Sequence, residues 1–282
     1  MPLRRRVFSL TLGDRDAVLL RSWRRPHQYE LRVGGVPQSI VTASDPTRLA
    51  YGYVRHIARA IDAAAPAGAR LFTVHLGAGA LTLARYVEAT RTGSRQLVVE
   101  FERDLYSAVL TALPLPAAAN VRAIFGDARD VAESPEAADW TGAQFTVVDL
   151  WDAAVIRHRV ASREFYTRVA ERSAPGGVVA VNLLDGHPFE YSRRQAETLR
   201  AVFAHVAVVL EFDPHDEDGP LGNVVAFASD RPLDIARHPA LLGLPAPHVF
   251  AGDELTAWIG AARIMTDADG TDSPDPDDPR WD

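Results

Sequence analysis

The sequence predicts an α/β protein built on a doubly wound parallel sheet, with a small β domain ahead of it. Three observations carry this. Strand-type apolar runs alternate with helical patterns from about residue 71 to residue 228. The first of these runs ends in a glycine turn that opens a helix. Acids follow the ends of the next strands, at Glu100, Asp127 and Asp149. In open α/β sheets ligands sit outside the carboxyl ends of the strands. Three acids at those ends are hard to explain as packing.

The chain begins with a β region over residues 5 to 42. Phe8, Leu10 and Leu12 alternate with Ser9 and Thr11, and Tyr29, Leu31 and Val33 alternate with Glu30 and Arg32. Gly34-Gly35 marks a hairpin turn, and Ser39 to Val41 continues a strand. A two-hairpin unit of this size needs another surface to pack on. Asp45-Pro46 reads as a helix start, a cap residue followed by an N1 proline. Leu49, Tyr53, Ile57 and Ile61 then fall on one helical face, until Pro66-Ala67-Gly68.

Residues 71 to 100 form the central unit. Leu71, Phe72, Val74 and Leu76 make a strand, Gly77-Ala78-Gly79 the turn, and Leu81, Ala84, Tyr86 and Val87 the apolar side of a helix. Gln96 to Glu100 is the second strand. Glu100 lies 21 positions after Gly79, close to the spacing of about 20 at which an acid meets the hydroxyls of a ribose. Gly77 to Thr82 lacks the third glycine of G-x-G-x-x-G, and the chain contains no lysine and no phosphate-binding G-x-x-x-x-G-K-[ST] loop. A phosphate cradle is therefore disfavoured. A nucleoside without phosphates fits better, and S-adenosylmethionine and its relatives are such nucleosides. The competing reading of the turn is close packing of helix on strand, with no ligand.

Further along, Arg103 to Ala112 is read as a helix and Val121 to Phe125 as a third strand ending in Gly126-Asp127-Ala128. Phe145 to Val148 is a fourth strand, running into Asp149-Leu150-Trp151-Asp152. Arg163 to Arg172 is a helix closed by Pro175-Gly176-Gly177, Val178 to Leu183 a fifth strand, and 189 to 203 a helix. Val206 to Phe212 and Val224 to Ala228 form a final antiparallel pair joined by an acidic loop. The expected domains are a β-hairpin region over 1–44, a Rossmann-like nucleoside-binding catalytic domain over 45–265, and an acidic tail over 266–282. Residues 267 to 282 hold seven Asp and three Pro, a composition that predicts disorder.

Composition narrows the function classes. The chain has 282 residues and no cysteine, which excludes disulfides, thiolate zinc sites and a cysteine nucleophile. A cytoplasmic protein is expected. The net charge of −7 argues against nucleic acid as a partner. No apolar run approaches the roughly 18 residues of a membrane span, so no membrane partner is expected. No metal is assigned, because the D-x-D-G at Asp267 fails the calcium-loop spacing.

The order of these segments resembles one family. Gly77-Ala78-Gly79, Val98-Val99-Glu100-Phe101-Glu102, Gly126-Asp127-Ala128, Val147-Val148-Asp149-Leu150-Trp151-Asp152 and Pro175-Gly176-Gly177 follow the pattern of the spermidine synthases. These are polyamine aminopropyltransferases on a methyltransferase-type Rossmann sheet. Gly35 to Ser39, and Asp45-Pro46-Thr47 through Tyr53-Val54-Arg55-His56, are similar to the same family, nearest its bacterial spermidine-synthase-like branch. The resemblance spans roughly residues 28 to 228. It implies that Glu100 holds the ribose hydroxyls and that Asp127 meets the adenine amino group. It implies further that Gly77 and Gly79 lie against the methionine-derived part of the ligand, and that Gln38 helps to close the site. By the same resemblance Asp149 takes the proton from the attacking amine, Asp152 binds the amine, and the chain pairs as a homodimer through its N-terminal β region.

The chemistry agrees. A sulfonium carries its own leaving group, so catalysis is the positioning of a neutral amine in line behind the reacting carbon. A carboxylate must accept the proton of that amine. The sequence also departs from the family pattern. Ala80 stands where the family turn has an aspartate that binds the free amine of decarboxylated S-adenosylmethionine. Aligned on His56, a Tyr-His pair becomes Ala50 and Tyr51, and the following acid becomes Gly52. Ala153 replaces a proline, and Trp151 is bulky. Tyr51 and Trp151 are the expected walls of the substrate pocket. Arg55 reads as a surface residue and His75 as a buried strand residue, while His187 and His215 take no role.

Three functions compete. The first is aminopropyl transfer from decarboxylated S-adenosylmethionine to a small-molecule amine such as putrescine. The second, favoured by Ala80, is methyl or other alkyl transfer from S-adenosylmethionine itself on the same fold. The third, favoured by the lost Tyr-His pair, is a non-catalytic nucleoside-binding homologue.

Overall fold

The computed structural model describes residues 4–276, apart from 136, 153, 212, 215, 217, 218 and 220. Ala153 and His215 lie outside the described residues, as do residues 277–282 of the acidic segment. The N-terminal region is a four-stranded antiparallel meander: β1 (Arg4–Leu12), β2 (Arg15–Ser22), β3 (Gln28–Val33) and β4 (Val36–Thr42). Gly34 and Gly35, both at positive φ, make the β3–β4 turn. The inner face of this meander carries Leu12, Ala17, Leu19, Leu31, Val33 and Val41.

The larger unit comprises α1 (Gly52–Ala63), β5 (Phe72–Leu76), α2 (Thr82–Thr90), β6 (Arg95–Glu100), α3 (Arg103–Ala112), β7 (Val121–Phe125), α4 (Ala128–Glu133), β8 (Ala143–Val148), α5 (Arg163–Arg172), β9 (Ser173–Asp185), α6 (Glu190–Arg200), β10 (His205–Leu210), β11 (Gly222–Ser229), α7 (Asp234–Arg237), β12 (His248–Ala251) and α8 (Gly252–Ile259). Its eight strands run in the order β12-β10-β11-β9-β8-β5-β6-β7. The five from β7 to β9 are parallel, and β11, β10 and β12 continue the sheet antiparallel. This is a methyltransferase-type Rossmann sheet with a small N-terminal β domain.

Two apolar cores cover the sheet. Trp140, Phe165, Tyr166, Phe189 and Trp258 dominate the first, and Ile57, Ile61, Val87, Phe145 and Phe227 dominate the second. The meander has its own core, completed by Leu105, Val109 and Leu113 on and just after α3, so this helix is the surface that the small β unit requires. No helix among the described residues is long and apolar enough to cross a membrane.

Four expectations change. Asp45 does not cap α1: its carboxylate accepts from the Thr47 backbone and hydroxyl at 3.1 and 2.6 Å, an Asx turn, and α1 starts at Gly52. Asp127 caps a helix, α4, that the sequence reading does not contain. Pro175-Gly176-Gly177 does not close α5 but lies inside β9, at an irregular stretch of its pairing with β8. The acidic segment is packed as far as residue 276. Asp267 forks onto Arg129 at 2.9 and 2.7 Å, Asp272 meets Arg157 at 3.0 Å, and buried Ser273 exchanges two 2.9 Å hydrogen bonds with Ile156. Composition marks this segment as unable to form a core; its anchors are arginines carried by other elements.

Candidate active site

The strand order reverses between β5 and β8, and a crevice opens there at the carboxyl ends of the strands. The N-terminal meander covers it, enclosing a cavity of about 910 Å³, within the size of small-molecule sites. Gln38, Tyr51, Gly77, Gly79, Glu100, Asp127, Asp149, Trp151 and Asp152 all line this one cavity.

The glycine turn forms its floor. Gly77 has φ +87° and Gly79 φ +48°, a region that side chains disfavour. A Cβ on Gly77 would overlap the Asp149 carbonyl, and one on Gly79 the Ser39 hydroxyl. Ser39, on β4, also accepts from the Ala80 backbone at 3.1 Å. The turn is thus gripped from β8 on one side and from the meander on the other. Ala80 is fully buried and belongs to the meander core.

Each Glu100 oxygen accepts one backbone N–H, from Ala78 and from Glu102, both at 2.9 Å. A carboxylate oxygen has a second lone pair, so Glu100 can also meet a vicinal diol. Burial pushes its carboxyl above the ordinary range, and the backbone donors oppose that. Asp127 Oδ1 caps α4, accepting from Arg129 and Asp130 at 2.8 and 3.2 Å. Its Oδ2 pairs with Arg159 at 2.9 Å.

Asp149, just past β8, accepts from Asn182 Nδ2 at 2.8 Å, and Asn182 accepts in turn from Asn223 at 3.1 Å. The Tyr53 hydroxyl reaches the other Asp149 oxygen at 3.5 Å. Burial raises the Asp149 carboxyl above the ordinary range, while Asn182, Trp151 and Tyr53 favour its charged form. Trp151 acts there by proximity, since its buried indole N–H meets no hydrogen-bond geometry. The result is a held carboxylate with raised proton affinity, the property a general base needs near neutral pH.

Asp152 is differently placed. Arg15 Nη1, from β2, reaches its Oδ1 at 2.9 Å, and Arg157 Nε and Nη2 reach its Oδ2 at 3.0 and 2.8 Å. These guanidiniums hold its carboxyl below the usual range. Tyr51 stacks on Tyr53 with ring centroids 6.0 Å apart. Gly52 lies under Glu211: a Cβ there would overlap the Glu211 carboxylate, which stands 3.2 Å from His56 Nε2. Buried His75 bonds Gln96 at 3.0 Å, and burial lowers its pKa to about 4.

Sequence reasoning missed Tyr53, Asn182, Asn223, Arg15, Arg157, Arg159 and Phe101. Tyr53 hides on the apolar face of α1, although a hydroxyl in that stripe is a signal. Asn182 interrupts the apolar run of β9, which is a readable sign. The arginines carry none, because their partners are distant in sequence. Phe101 follows Glu100, lines the cavity and is 70% exposed, a large apolar face left to solvent. Among the described residues no group of three or more His, Cys, Asp or Glu is placed to hold a metal ion.

No family model matches the chain, and no curated protein matches it in sequence. Solved structures do match it in fold. A probable spermidine synthase from Corynebacterium glutamicum superposes with a TM-score of 0.79 at 23% identity, over 95% of this chain and 97% of that one. A spermidine synthase in complex with the transition-state analogue AdoDATO gives 0.59 at 13% identity, over 83% and 78%. The spermidine synthase of Thermotoga maritima gives 0.56 at 12%, over 83% and 78%. The likeness to the spermidine synthases read from the order of the sequence segments is thus a likeness of fold, from the N-terminal meander to the last strands of the sheet.

Proposed function

We propose that this protein transfers the aminopropyl group of decarboxylated S-adenosylmethionine to a small-molecule amine. The observation that carries the reading is the convergence of Glu100, Asp127 and Asp149 with the Gly77–Gly79 turn on one cavity. Glu100 takes the ribose hydroxyls on its free lone pairs. Asp127 Oδ2, shared with Arg159, takes the adenine amino group, and Phe101 offers its ring beside them. The glycine turn lets the sulfur-bearing tail approach the backbone, and Gln38 and Tyr51 close the cavity from the meander side.

In the reaction, the amine lone pair forms a carbon–nitrogen bond as the carbon–sulfur pair leaves to sulfur. The products are 5′-methylthioadenosine and an alkylated ammonium, whose proton passes to Asp149. Asn182 and Tyr53 fix the carboxylate, so that positioning and proton transfer together supply the rate. The reading includes a cytoplasmic setting and a homodimer paired through the meander, whose edge strand β1 is largely exposed.

The lack of an acid in the turn from Gly77 to Thr82 favours a second reading, in which the donor is S-adenosylmethionine itself, although Ala80 packs into the meander core and does not line the cavity. The turn presents no acid to repel the ligand carboxylate, and a like-charge clash of that kind costs several kcal/mol. Incubation of the protein with each donor and a panel of amines tests both. Release of 5′-methylthioadenosine is expected, and Asp149→Asn should lower it by about 10²–10⁴-fold. S-adenosylhomocysteine as the only product would favour the second reading. Full turnover by Asp149→Asn would remove the assigned base.

A further inference from the structure

We propose that the acceptor is a monoamine with an apolar tail, and that Arg15 and Arg157 exclude diamines by occupying both oxygens of Asp152. This rests on the amine-transfer reading above and specifies its substrate class. A diamine bound with one neutral nitrogen at Asp149 carries its second nitrogen as an ammonium. Asp152, three residues further along the same loop, is the next acid that lines the cavity. Its Oδ1 is held by Arg15 at 2.9 Å, and its Oδ2 by two nitrogens of Arg157 at 3.0 and 2.8 Å. Arg157 is matched in turn by Asp272 at 3.0 Å. Asp14 stands 3.9 Å from Arg15 Nε and His158 Nδ1 lies 3.1 Å from Asp272 at the two ends of this chain, and at its centre both oxygens of Asp152 are met by guanidiniums.

The other acids of the cavity besides Asp149 lie toward β6 and β7. Glu100 and Asp127 belong to the nucleoside side, and Glu102 follows Glu100 there. Glu30, on the meander, is paired with Arg4 and Arg32, and Glu211 faces His56 and Arg55; neither lines the cavity. A distal ammonium would meet two guanidiniums, a like-charge arrangement that discriminates between substrates more strongly than a lost contact does. An alkyl tail meets Leu12, Val33, Val36, Leu184 and Leu221, which line the cavity and favour apolar surface. The step is unchanged: the single amine nitrogen forms the bond to carbon, sulfur takes the electron pair, and Asp149 takes the proton.

The test measures 5′-methylthioadenosine release from decarboxylated S-adenosylmethionine with n-hexylamine, 1,4-diaminobutane and 4-aminobutanoate. The wild-type protein is expected to prefer n-hexylamine over the diamine in kcat/KM by roughly tenfold or more. Arg15→Ala and Arg157→Ala, alone and together, should shift that ratio toward the diamine, with calorimetric binding of 5′-methylthioadenosine retained as the report of an intact fold. Preference of the wild-type protein for the diamine, or for 4-aminobutanoate, would overturn the proposal while leaving the transfer reading standing. An unchanged ratio in arginine variants that still bind the nucleoside would overturn the role of the arginines. Absence of turnover with every amine would remove the transfer reading, and this inference with it.

Discussion

Asp149 shows how a single side chain acquires its chemistry from distant neighbours. Burial raises its proton affinity, and Asn182, on β9, is the strongest opposing partner. In the proposed role of base Asp149 must be deprotonated to act, so that reading predicts a kcat/KM that rises with pH through an apparent pKa above the ordinary carboxylate value of about 4. Asn182→Ala removes a donor that favours the charged form, so it should move that inflection to higher pH and lower the rate below it. A pH–rate profile of the two proteins checks this, and an inflection that stays in place contradicts it. The acid itself was legible, because it ends an apolar run beside the other strand-tip acids. Its partners were not: Tyr53 reads as one more apolar-face residue of α1, and Asn182 sits 33 positions away.

Elements depend on arginines in a way that composition hides. Arg91, at the end of α2, is only 1% exposed and donates to five carbonyls, those of Ile61, Asp62, Ala65, Pro66 and Ala69, at 2.8–3.1 Å. These carbonyls lie at the carboxyl end of α1 and in the turn after it, where those of Ile61 and Pro66 also accept the backbone N–H groups of Ala64 and Ala69, and the cation complements the helix dipole. Arg172, at the end of α5, does the same for Ala132, Ser134 and Ala137 behind α4. Arg91→Ala should lower stability by at least about 3 kcal/mol, because buried acceptors lose charged donors. Arg91→Lys should recover part of that, since an ammonium has three donors where guanidinium has five. Denaturant unfolding measures both, and a loss under about 1 kcal/mol for Arg91→Ala would contradict the account. Periodicity placed most strands and helices, and it located α5 between the residues observed. It misplaced the start of α1 because Asp-Pro-Thr serves a turn as well as a cap, and only the fold decides which. It missed α4 because six residues hold too little periodicity to read.

Over the whole molecule, the site exists because three separate segments meet. The parallel sheet aligns the tips of β5, β6, β7 and β8, the meander closes over them through Ser39 and Arg15, and the acidic segment fastens the loop after Asp152 through Asp272 and Ser273. The alternation of strands and helices made the sheet legible. The insertion of β11 between β9 and β10 was not, since an antiparallel pair reads the same in either order. The docking of the acidic segment was not either, because charge content predicts solvation and says nothing of arginines waiting elsewhere. The central claim is that Glu100 and Asp127 grip a nucleoside beside the glycine turn, with Asp149 next in line. Titration calorimetry with 5′-methylthioadenosine tests it most directly. One site per chain is expected, weakened about 10–100-fold by Glu100→Gln, as for a lost pair of charged hydrogen bonds, and retained by Asp149→Asn. No heat of binding to the wild-type protein, or equal affinity in Glu100→Gln, would contradict it.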